Sequence, residues 1–444
     1  MNNKKPSLED IVSLCKRRGF IYQGSEIYGG LAGTWDYGPL GVQLKRNITN
    51  LWWKTFVEDR EDMYGVDASI LMNQKVWQAS GHTETFADPM IVCKECGQAY
   101  REDHLDYAKP CIKCGSKDSY GAARPFNMMF KTNVGPIENE SSISYLRPET
   151  AQGIFTNYKN IVDNFYPDIP FGIAQIGKAF RNEISPRDFV FRSREFEQME
   201  IEFFVHPDNW QEWFERWLEL IRGFLAMLSI PSRSYHEVEV EEKERAHYSK
   251  RTVDFDFDYP HKSDELLGLA YRTDFDLTNI QKATGKSMEY RPKDNSRPFV
   301  PHVIEPSFGV ERLIMAVLTS AYAEDEVGGE KRVFLRLPEN IAPVKIAVFP
   351  LLKNKPELIE KAREVYKMLK KNVAVMPGLQ SLGEVAWDDN GNIGKRYRRQ
   401  DEIGTPKCVT IDFDTLENDT VTVRDRDTTK QARVKIDELI TSLE

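Results

Sequence analysis

Apolar residues recur along this chain with two different periods, and each period predicts one kind of secondary structure. Between Leu8 and Leu14 they return every three or four positions, which predicts a helix that Ser7 caps and Gly19 ends. The same spacing predicts three further helices, at residues 42–57, 209–228 and 355–371.

The segment from Pro170 to Phe204 instead alternates apolar and polar residues, which predicts an antiparallel hairpin. Because successive side chains of a strand point to opposite faces, its return strand has one polar face. The residues on that face are Phe196, Gln198, Glu200 and Glu202. The pattern therefore predicts a sheet with a row of carboxylates on one side.

Short apolar runs predict further strands at 66–71 and 252–257, and residues 304–321 read as a strand, a glycine and a helix. After the prolines at 338 and 343, strands alternate with a helix, which favours a small α/β domain. The strands predicted there are 345–350, 408–411 and 420–423.

We therefore predict two domains, residues 1–338 and 342–444. The first is expected to contain a small insertion at about 90–120 and a further one at about 231–300.

Composition narrows the class of protein. Hydrophobic residues make up 41% and charged residues 29% of the 444 residues, as in ordinary globular proteins. The sequence lacks a run of about 18 apolar residues and its first residues lack the apolar segment of a signal peptide, so we expect a cytoplasmic protein without membrane spans. The net charge of −9 argues weakly against nonspecific binding to nucleic acid, although a local basic patch can still bind phosphate.

Four of the six cysteines form two Cys-x-x-Cys pairs, Cys93 with Cys96 and Cys111 with Cys114. Four thiolates on two tight turns are typical of a tetrahedral, structural Zn²⁺ site, which leaves no open position for catalysis. The alternative is a set of buried thiols without a metal.

Four short segments combine charges with turn residues: Arg147–Gly153 around Glu149, Phe180–Glu183, Glu265–Ala270 and Glu305–Arg312. A guanidinium suits phosphate and a carboxylate suits an amino group, so Arg181 with Glu183 could bind two parts of one ligand. Each segment alone is more often structural than functional. Their order along the chain is the informative feature.

That order resembles the class II aminoacyl-tRNA synthetases. The strand ending in Phe180–Glu183 and its return resemble class motif 2, and Gly309–Arg312 resembles motif 3. The helix from Pro39 and the strand to Leu71 resemble motif 1. Within the class, the chain resembles the glycyl-tRNA synthetases of the homodimeric type. The segments that carry this likeness are 27–31, 35–41, 79–82, 147–153, 194–200, 305–309 and 393–406.

The resemblance implies an α+β fold: a class II antiparallel sheet with flanking helices, followed by a C-terminal α/β anticodon-binding domain. It also implies that the protein uses ATP with Mg²⁺ to form glycyl-adenylate. The glycyl group would then be transferred to the 3′ end of tRNA(Gly) for protein synthesis, and the enzyme would be a homodimer.

The resemblance assigns roles to individual residues. Arg181, Glu183 and Arg312 are the expected catalytic residues. The expected ATP-binding residues are Arg181, Asn182, Glu183, Phe191, Arg192, Ser193, Arg194, Glu195, Phe196, Glu265, Leu266, Gly309, Val310, Glu311 and Arg312. The expected glycine-binding residues are Arg101, Glu149, Phe196, Glu197, Gln198, Met199, Glu200, Glu305, Pro306, Ser307, Phe308 and Gly309.

Two alternatives remain open on the sequence. One is a class II synthetase for threonine, proline, histidine or serine, and the other is an inactive paralogue that only binds nucleic acid. In the last domain, the basic residues 395–399 around Tyr397 predict contact with single-stranded RNA. The competing interpretation is a solvated basic face paired with nearby acidic residues.

Overall fold

The computed structural model describes residues 5–373 and 384–443. The outermost residues of the two predicted domains, 1–4 and 444, lie outside the described residues. The elements before the central sheet are α1 (Leu8–Arg18), β1 (Ile21–Gln23), β2 (Trp35–Tyr37), α2 (Pro39–Trp53) and β3 (Met63–Gly65).

The first two predicted helices are confirmed. Ser7 and Asp10 form a reciprocal capping box, and Gly19 ends α1 in the left-handed conformation with φ 74°. Helix α2 begins three residues before the predicted start because Pro39 suits the first helical turn, and a π-helical turn continues it over Lys54–Glu58.

The strand predicted at 66–71 is wrong in position, because the strand in this region is β3. It pairs in parallel with residues 172–174 and ends at Gly65. Beyond it, the Ala68 carbonyl accepts a hydrogen bond from the buried Arg147 guanidinium at 2.7 Å. The Arg147 side chain thus occupies the Ala68 carbonyl, which would otherwise pair with a neighbouring strand.

The next segment, residues 74–145, forms a small sheet and a hairpin beside the central sheet. Its elements are α3 (Gln74–Ala79), α4 (His82–Thr85), β4 (Ala87–Val92), β5 (Ala99–Arg101), β6 (Arg124–Asn127), β7 (Lys131–Asn133) and β8 (Ile143–Tyr145). Strands β5, β4 and β6 pair antiparallel in that order, and the two cysteine pairs lie at one end of this sheet.

The elements that form and cover the central sheet follow. They are α5 (Ala151–Phe165), β9 (Phe171–Phe180), β10 (Glu195–Val205), α6 (Trp210–Met227), β11 (Tyr235–Glu239), β12 (Arg251–Asp258), β13 (Ser263–Thr273), α7 (Phe275–Thr284), β14 (His302–Gly309) and α8 (Val310–Ala321). The predicted hairpin, the strand at 252–257, the helix at 209–228 and the strand-glycine-helix unit are confirmed.

The central sheet has seven strands in the order β11-β12-β13-β14-β10-β9-β3, and every neighbouring pair except β9 and β3 is antiparallel. Residues 231–300, expected as an insertion, supply its strands β11, β12 and β13. One face packs on α2, α6 and α8 through buried residues such as Met199, Phe203 and Phe308. On the other face, α5 covers one end around Phe204 and leaves the other end open.

A hairpin joins α8 to the last region: β15 (Tyr322–Val327) and β16 (Glu330–Leu335). The elements after it are β17 (Val344–Pro350), α9 (Pro356–Val373), β18 (Glu384–Trp387), α10 (Ile393–Ile403), β19 (Lys407–Ile411), α11 (Phe413–Asn418), β20 (Thr420–Asp425), β21 (Gln431–Lys435) and α12 (Leu439–Ser442). The strands form a mixed sheet in the order β18-β17-β19-β20-β21, with its own core.

This mixture of helices with a largely antiparallel sheet confirms the predicted α+β class and the small α/β C-terminal unit. Among the described residues, none of the helices has the length and apolar character needed to cross a membrane.

Candidate active site

A cavity of about 450 Å³ opens on the uncovered end of the central sheet. Its floor is the polar face of β10, β13 and β14, and its walls come from the loop after β9, the first turn of α8 and the end of β5. The predicted site residues that line it are Arg101, Glu149, Arg181, Glu183, Phe191, Arg192, Ser193, Phe196, Gln198, Glu200, Glu265, Leu266, Glu305, Ser307, Gly309, Glu311 and Arg312.

Strand register brings distant parts of the chain into one row on the floor. Ser307 lies between Glu200 on β10 and Gly268 on β13, and Asp254 follows on β12. The centre of this row is therefore built from two small residues with carboxylates on both sides. A glycine there leaves space that a larger side chain would fill, because an added Cβ at Gly268 would lie 3.3 Å from Asp254 Oδ1.

One end of the cavity is rich in arginine. The guanidinium of Arg181 stacks 5.2 Å from the centre of the Phe196 ring, and its Nε donates to the Pro148 carbonyl at 3.1 Å. Arg312 Nη1 contacts the Glu265 carboxylate at 3.1 Å, and this guanidinium lies 4.6 Å from the centre of the Phe191 ring. These contacts hold the planar cations in place, so little reorganisation is needed to bind a phosphate chain.

Glu183 is buried at the same end, and its carboxylate faces Arg192 Nη1 at 3.4 Å. Arg194 fixes the turn behind it, because its Nε and Nη2 donate to the Glu183 carbonyl at 3.2 and 3.0 Å. The Glu183 carboxylate is thus an acceptor held beside the arginines.

The opposite end is acidic. Glu200 is held by four donors: the Thr150 backbone N–H at 3.1 Å, the Thr150 hydroxyl at 2.5 Å, the Ser307 hydroxyl at 2.8 Å and the Gln198 amide at 3.3 Å. Glu149 lies 3.3 Å from His82 Nε2. Burial would raise the pKa of Glu149, but His82, Arg272 and Arg181 outweigh it and lower the pKa to about 2.

Glu305 completes this acidic end and behaves differently. Its Oε1 accepts from Arg272 Nη1 at 2.8 Å. Burial, with help from Glu200 and Glu149, nevertheless raises the pKa of Glu305 to about 8. The acidic end therefore combines one carboxyl that stays ionised with one that titrates near neutral pH.

Arg272 is the centre of a buried network that the sequence did not reveal. It donates to both oxygens of Asp276 at 2.8 and 2.9 Å as well as to Glu305, and its guanidinium lies 3.7 Å from the centre of the Tyr248 ring. Glu202 lies close by and is fully buried; neither of its oxygens has a hydrogen-bond partner among the described residues. Burial, reinforced by Glu305, raises the pKa of Glu202 well above its ordinary value.

Some predicted residues lie outside the cavity: Asn182, Arg194, Glu195, Glu197, Met199, Pro306, Phe308 and Val310. Strand alternation accounts for those on β10 and β14. Met199, Phe308 and Val310 pack into the core on the other face. Glu195 and Glu197 also occupy odd positions of β10, where they pair with Lys178 and Lys45. Their expected substrate contacts can come only from backbone atoms or from a rearrangement.

Other lining residues were not predicted, among them Tyr248, Thr252 and Asp254. Alternation could have found Thr252 and Asp254, because they share one parity on the predicted strand 252–257. Tyr248 lies in a loop and carries no such signal.

The four cysteine sulfurs form one cluster. The Sγ atoms of Cys93 and Cys114 are 3.8 Å apart, as are those of Cys96 and Cys111, and all four lie within 4.8 Å of one another. The turn between β4 and β5 carries the first pair, so the cluster closes the hairpin that ends in Arg101. Arg101 Nη1 in turn pairs with Asp88 Oδ2 at 2.5 Å on β4.

The basic cluster of the C-terminal region is divided: Arg396 is turned inward, Arg399 is half-buried, and Lys395 and Arg398 are exposed. Arg396 is fully buried and donates to the carbonyls of Pro350, Asp389 and Gly391. The Tyr397 hydroxyl shares a hydrogen bond with Thr410 at 2.6 Å, and Arg399 forms a two-pronged pair with Asp388 at 2.8 Å. The Tyr397 ring, on which stacking of an RNA base is predicted, contacts Phe349 edge-to-face, and the Arg424 guanidinium lies 4.8 Å from its centre.

Comparison with known proteins agrees with this architecture. A family model described as "tRNA synthetase class II core domain (G, H, P, S and T)" matches residues 130–321, and one described as "Anticodon binding domain" matches residues 345–444.

Among curated relatives, the glycine–tRNA ligase of Borrelia hermsii is 46% identical over 97% of this chain and 96% of its own length. The glycine–tRNA ligase of Thermobifida fusca is 46% identical over 99% and 98%. That of Clostridium kluyveri is 48% identical over 98% and 97%.

Proposed function

Because this chain belongs to the glycine–tRNA ligase family of class II aminoacyl-tRNA synthetases, we propose that its cavity activates glycine with ATP and transfers the glycyl group to the 3′ end of tRNA(Gly). The observation that carries the residue assignment is the polarity of one cavity: arginines at one end and carboxylates at the other, on a single sheet face. A triphosphate suits the first end and an ammonium group the second.

At the arginine end, Arg181 holds the α-phosphate and Arg312 the γ-phosphate side of ATP. As the glycine carboxylate attacks the α-phosphorus, negative charge develops on the phosphate oxygens, and cations already fixed in place stabilise it. The stacking of Arg181 on Phe196 and the pairing of Arg312 with Glu265 support these roles.

Adenine is placed by two further groups at this end. Phe196 stacks on the purine ring, and the Glu183 carboxylate accepts from the adenine amino group. The burial of Glu183 beside Arg192 supports this role, because a buried carboxylate keeps its orientation.

Mg²⁺ accompanies ATP in class II synthetases generally. Glu265 would hold it, since a carboxylate at the cavity mouth beside Arg312 offers the oxygen ligands that Mg²⁺ prefers. When bound, the ion neutralises charge on the phosphate chain.

At the acidic end, Glu149, Glu200 and Glu305 bind the glycine ammonium group. Ser307 narrows the pocket and holds Glu200, whose four donors fix its position. A substrate with a larger side chain would collide with Ser307 and Glu200, which these hydrogen bonds hold in place. Selection for glycine then comes from exclusion and from the ammonium contact.

Amino-acid-dependent exchange of pyrophosphate into ATP tests the assignment. We expect glycine to support the exchange and threonine, serine, proline and histidine to fail. Exchange with one of those four and none with glycine would favour the other synthetases, and no exchange with any amino acid would favour an inactive paralogue. Residues 342–444, the proposed anticodon-binding domain, would not enter this step.

We also propose that the cysteine cluster holds one structural Zn²⁺ per chain. A tetrahedral site with Zn–S bonds of about 2.3 Å puts its sulfurs roughly 3.8 Å apart, which fits the Sγ separations of this cluster. Metal analysis of the purified protein should find about one zinc per chain, lost in Cys93→Ser/Cys96→Ser. Cys408→Ser, which changes a buried cysteine outside the cluster, is the matched control.

Loss of zinc should also loosen the β4–β5 hairpin and displace Arg101. Limited proteolysis near residues 93–114 would report this directly. A zinc-free protein with an unchanged cleavage pattern would contradict the structural role.

We propose further that the protein is a homodimer and works in the cytoplasm, as the resemblance implies. The highly exposed Ile27 and Tyr28, 90% and 88% accessible, lie in a segment that carries the family likeness and support a subunit contact there. Sedimentation of the wild type and of Ile27→Asp/Tyr28→Asp tests the first proposal, and cell fractionation tests the second.

A further inference from the structure

The segment 393–406 is the part of the family likeness that the proposed reaction leaves unexplained. Its charged residues lie on α10, which packs against β16 of the hairpin that follows α8. The buried residues of α10 are Arg396, Gln400, Asp401 and Ile403. A helix that buries a stripe of polar side chains is using them to bind other parts of the protein.

Asp401 is the buried residue of α10 that accepts hydrogen bonds from two different arginines. Arg424 of β20 donates to both of its oxygens, at 2.8 and 3.0 Å, and Arg332 of β16 donates to Oδ2 at 3.2 Å. All three side chains are buried, with at most 6% of their surface accessible. The Asp401 carboxylate thus accepts hydrogen bonds from one arginine of its own domain and from another on the connecting hairpin.

The hairpin is continuous with the catalytic cavity. Helix α8 begins at Val310, carries Arg312 in its first turn and passes directly into β15. Arg332 on β16 is fixed to Asp325 of β15 by two further hydrogen bonds, at 2.7 and 2.5 Å. Its Nη1 also donates to the Arg426 carbonyl at 2.7 Å. A continuous path of helix α8, the hairpin and these hydrogen bonds therefore connects Arg312 with Asp401.

We infer that Asp401 is a positioning residue for the transfer of glycine to tRNA: with Arg332 and Arg424 it fixes the angle of the C-terminal domain relative to the cavity. The inference rests on the proposed function. A tRNA held at its anticodon by one domain must deliver its 3′ end to the other, and a small rotation at the hinge becomes a large displacement at that end. Adenylate formation, which needs only ATP and glycine, does not depend on this angle.

The decisive variant is Arg332→Gln in the full-length protein. It removes the Arg332–Asp401 bond and the bond to the Arg426 carbonyl, and it leaves the Asp401–Arg424 pair inside the C-terminal domain. The other contacts of α10 with the first domain, Arg17 and Arg18 with Glu402 and Arg398 with Glu330, remain in this variant. Asp401→Asn, which weakens both bonds without a change of shape, is the second variant. Lys331→Gln is the control, since Lys331 lies next to Arg332 on the same strand but is exposed and pairs only locally with Glu324.

Three measurements separate the outcomes: glycine-dependent pyrophosphate exchange, charging of full-length tRNA(Gly), and binding of a fluorescent anticodon arm. For Arg332→Gln we expect exchange and anticodon-arm binding within about twofold of wild type. We expect kcat for charging to fall by about 10- to 100-fold with little change in KM, as misplacement of a reacting group does. Asp401→Asn should give the same pattern of results as Arg332→Gln. Lys331→Gln should match the wild type in all three measurements.

Charging that is unchanged in Arg332→Gln and Asp401→Asn would overturn the inference. If these variants lose anticodon-arm binding as well as charging, the inference is also overturned. The bonds of Asp401 would then serve only to keep the C-terminal domain folded. If wild-type protein fails to exchange pyrophosphate with glycine, the proposed function fails instead, and the two failures are distinct.

Discussion

Two charged segments of this chain lie in nearly opposite environments. In the hairpin β9–β10, Arg181, Glu183 and Glu200 face an open cavity. In α10, Arg396 and Asp401 are buried against other parts of the protein, and the exposed Arg398 pairs with Glu330 of the hairpin. Charge composition alone therefore does not identify a ligand-binding surface.

The element that carries the charges decides the difference. On a strand, alternate residues share a face, so apolar residues at positions 199, 201 and 203 fill the core while polar neighbours stay outside it. On α10, positions 396, 400 and 403 form one helical stripe, and this stripe faces the protein although two of its members are polar. Hydrophobicity identifies the buried face of the strand and misassigns that of the helix.

The largest effect that separates the two regions should come from Arg181→Ala. Because its guanidinium is positioned for developing charge, its loss should cost roughly 3–4 kcal/mol of transition-state stabilisation, seen as a 10²–10³-fold fall in glycine-dependent pyrophosphate exchange. Lys178→Ala, on β9 shortly before Arg181 but paired outside the cavity with Glu195, should leave the exchange unchanged. A folded Arg181→Ala protein with near wild-type exchange would refute the role of this end of the cavity.

Arg396→Ala should lower the stability of the C-terminal domain and leave glycine-dependent pyrophosphate exchange unchanged. Removing the guanidinium leaves the buried Pro350 carbonyl and the half-buried Asp389 and Gly391 carbonyls without this donor, and the free energy of unfolding of the C-terminal domain should fall by about 1–3 kcal/mol. Urea unfolding followed by circular dichroism measures this. The exposed neighbour Lys395→Ala should stay within about 0.5 kcal/mol of wild type. Equal effects of the two substitutions would contradict the inward orientation of α10.

A pH profile sharpens the description of the acidic end. The pKa of Glu305 is raised to about 8, so this carboxyl is largely neutral at pH 7 and ionises as the pH rises. The ionised form attracts the glycine ammonium, so KM for glycine should fall as the pH rises from 7 to 8.5. Glu305→Gln should weaken glycine use and flatten this dependence. A wild-type KM that rises over the same range would have the wrong sign for this mechanism.

The smallest expected effect is that of Tyr397→Phe. It removes one hydrogen bond to Thr410 and should cost about 1 kcal/mol of stability. Since the variant keeps the aromatic ring and its contacts with Phe349 and Arg424, KM for tRNA should not change. A large increase in that KM, measured by aminoacylation at fixed glycine and ATP, would show that the Tyr397 hydroxyl contacts RNA.

Much of the site could be predicted, because the order of the motifs and the alternation of side chains along a strand can both be read from the sequence. The polar face from Phe196 to Glu200 lines the cavity as the alternation implied. The Arg272–Glu305 contact could not be predicted, because it depends on the register of β13 against β14 and on an irregularity after Tyr271. The strand at 66–71 was misplaced because Arg147, distant in sequence, binds the backbone there.

The order of strands in the central sheet has a consequence for synthesis on the ribosome. Strand β14 lies between β13 and β10, yet it is the last of the seven to be made. Until residue 309 has emerged, β10 and β13 each present an unpaired edge, which is a surface prone to aggregation. We expect nascent chains halted before residue 302 to bind chaperones and chains extended past α8 to be released, because the same strand that completes the cavity also closes the sheet.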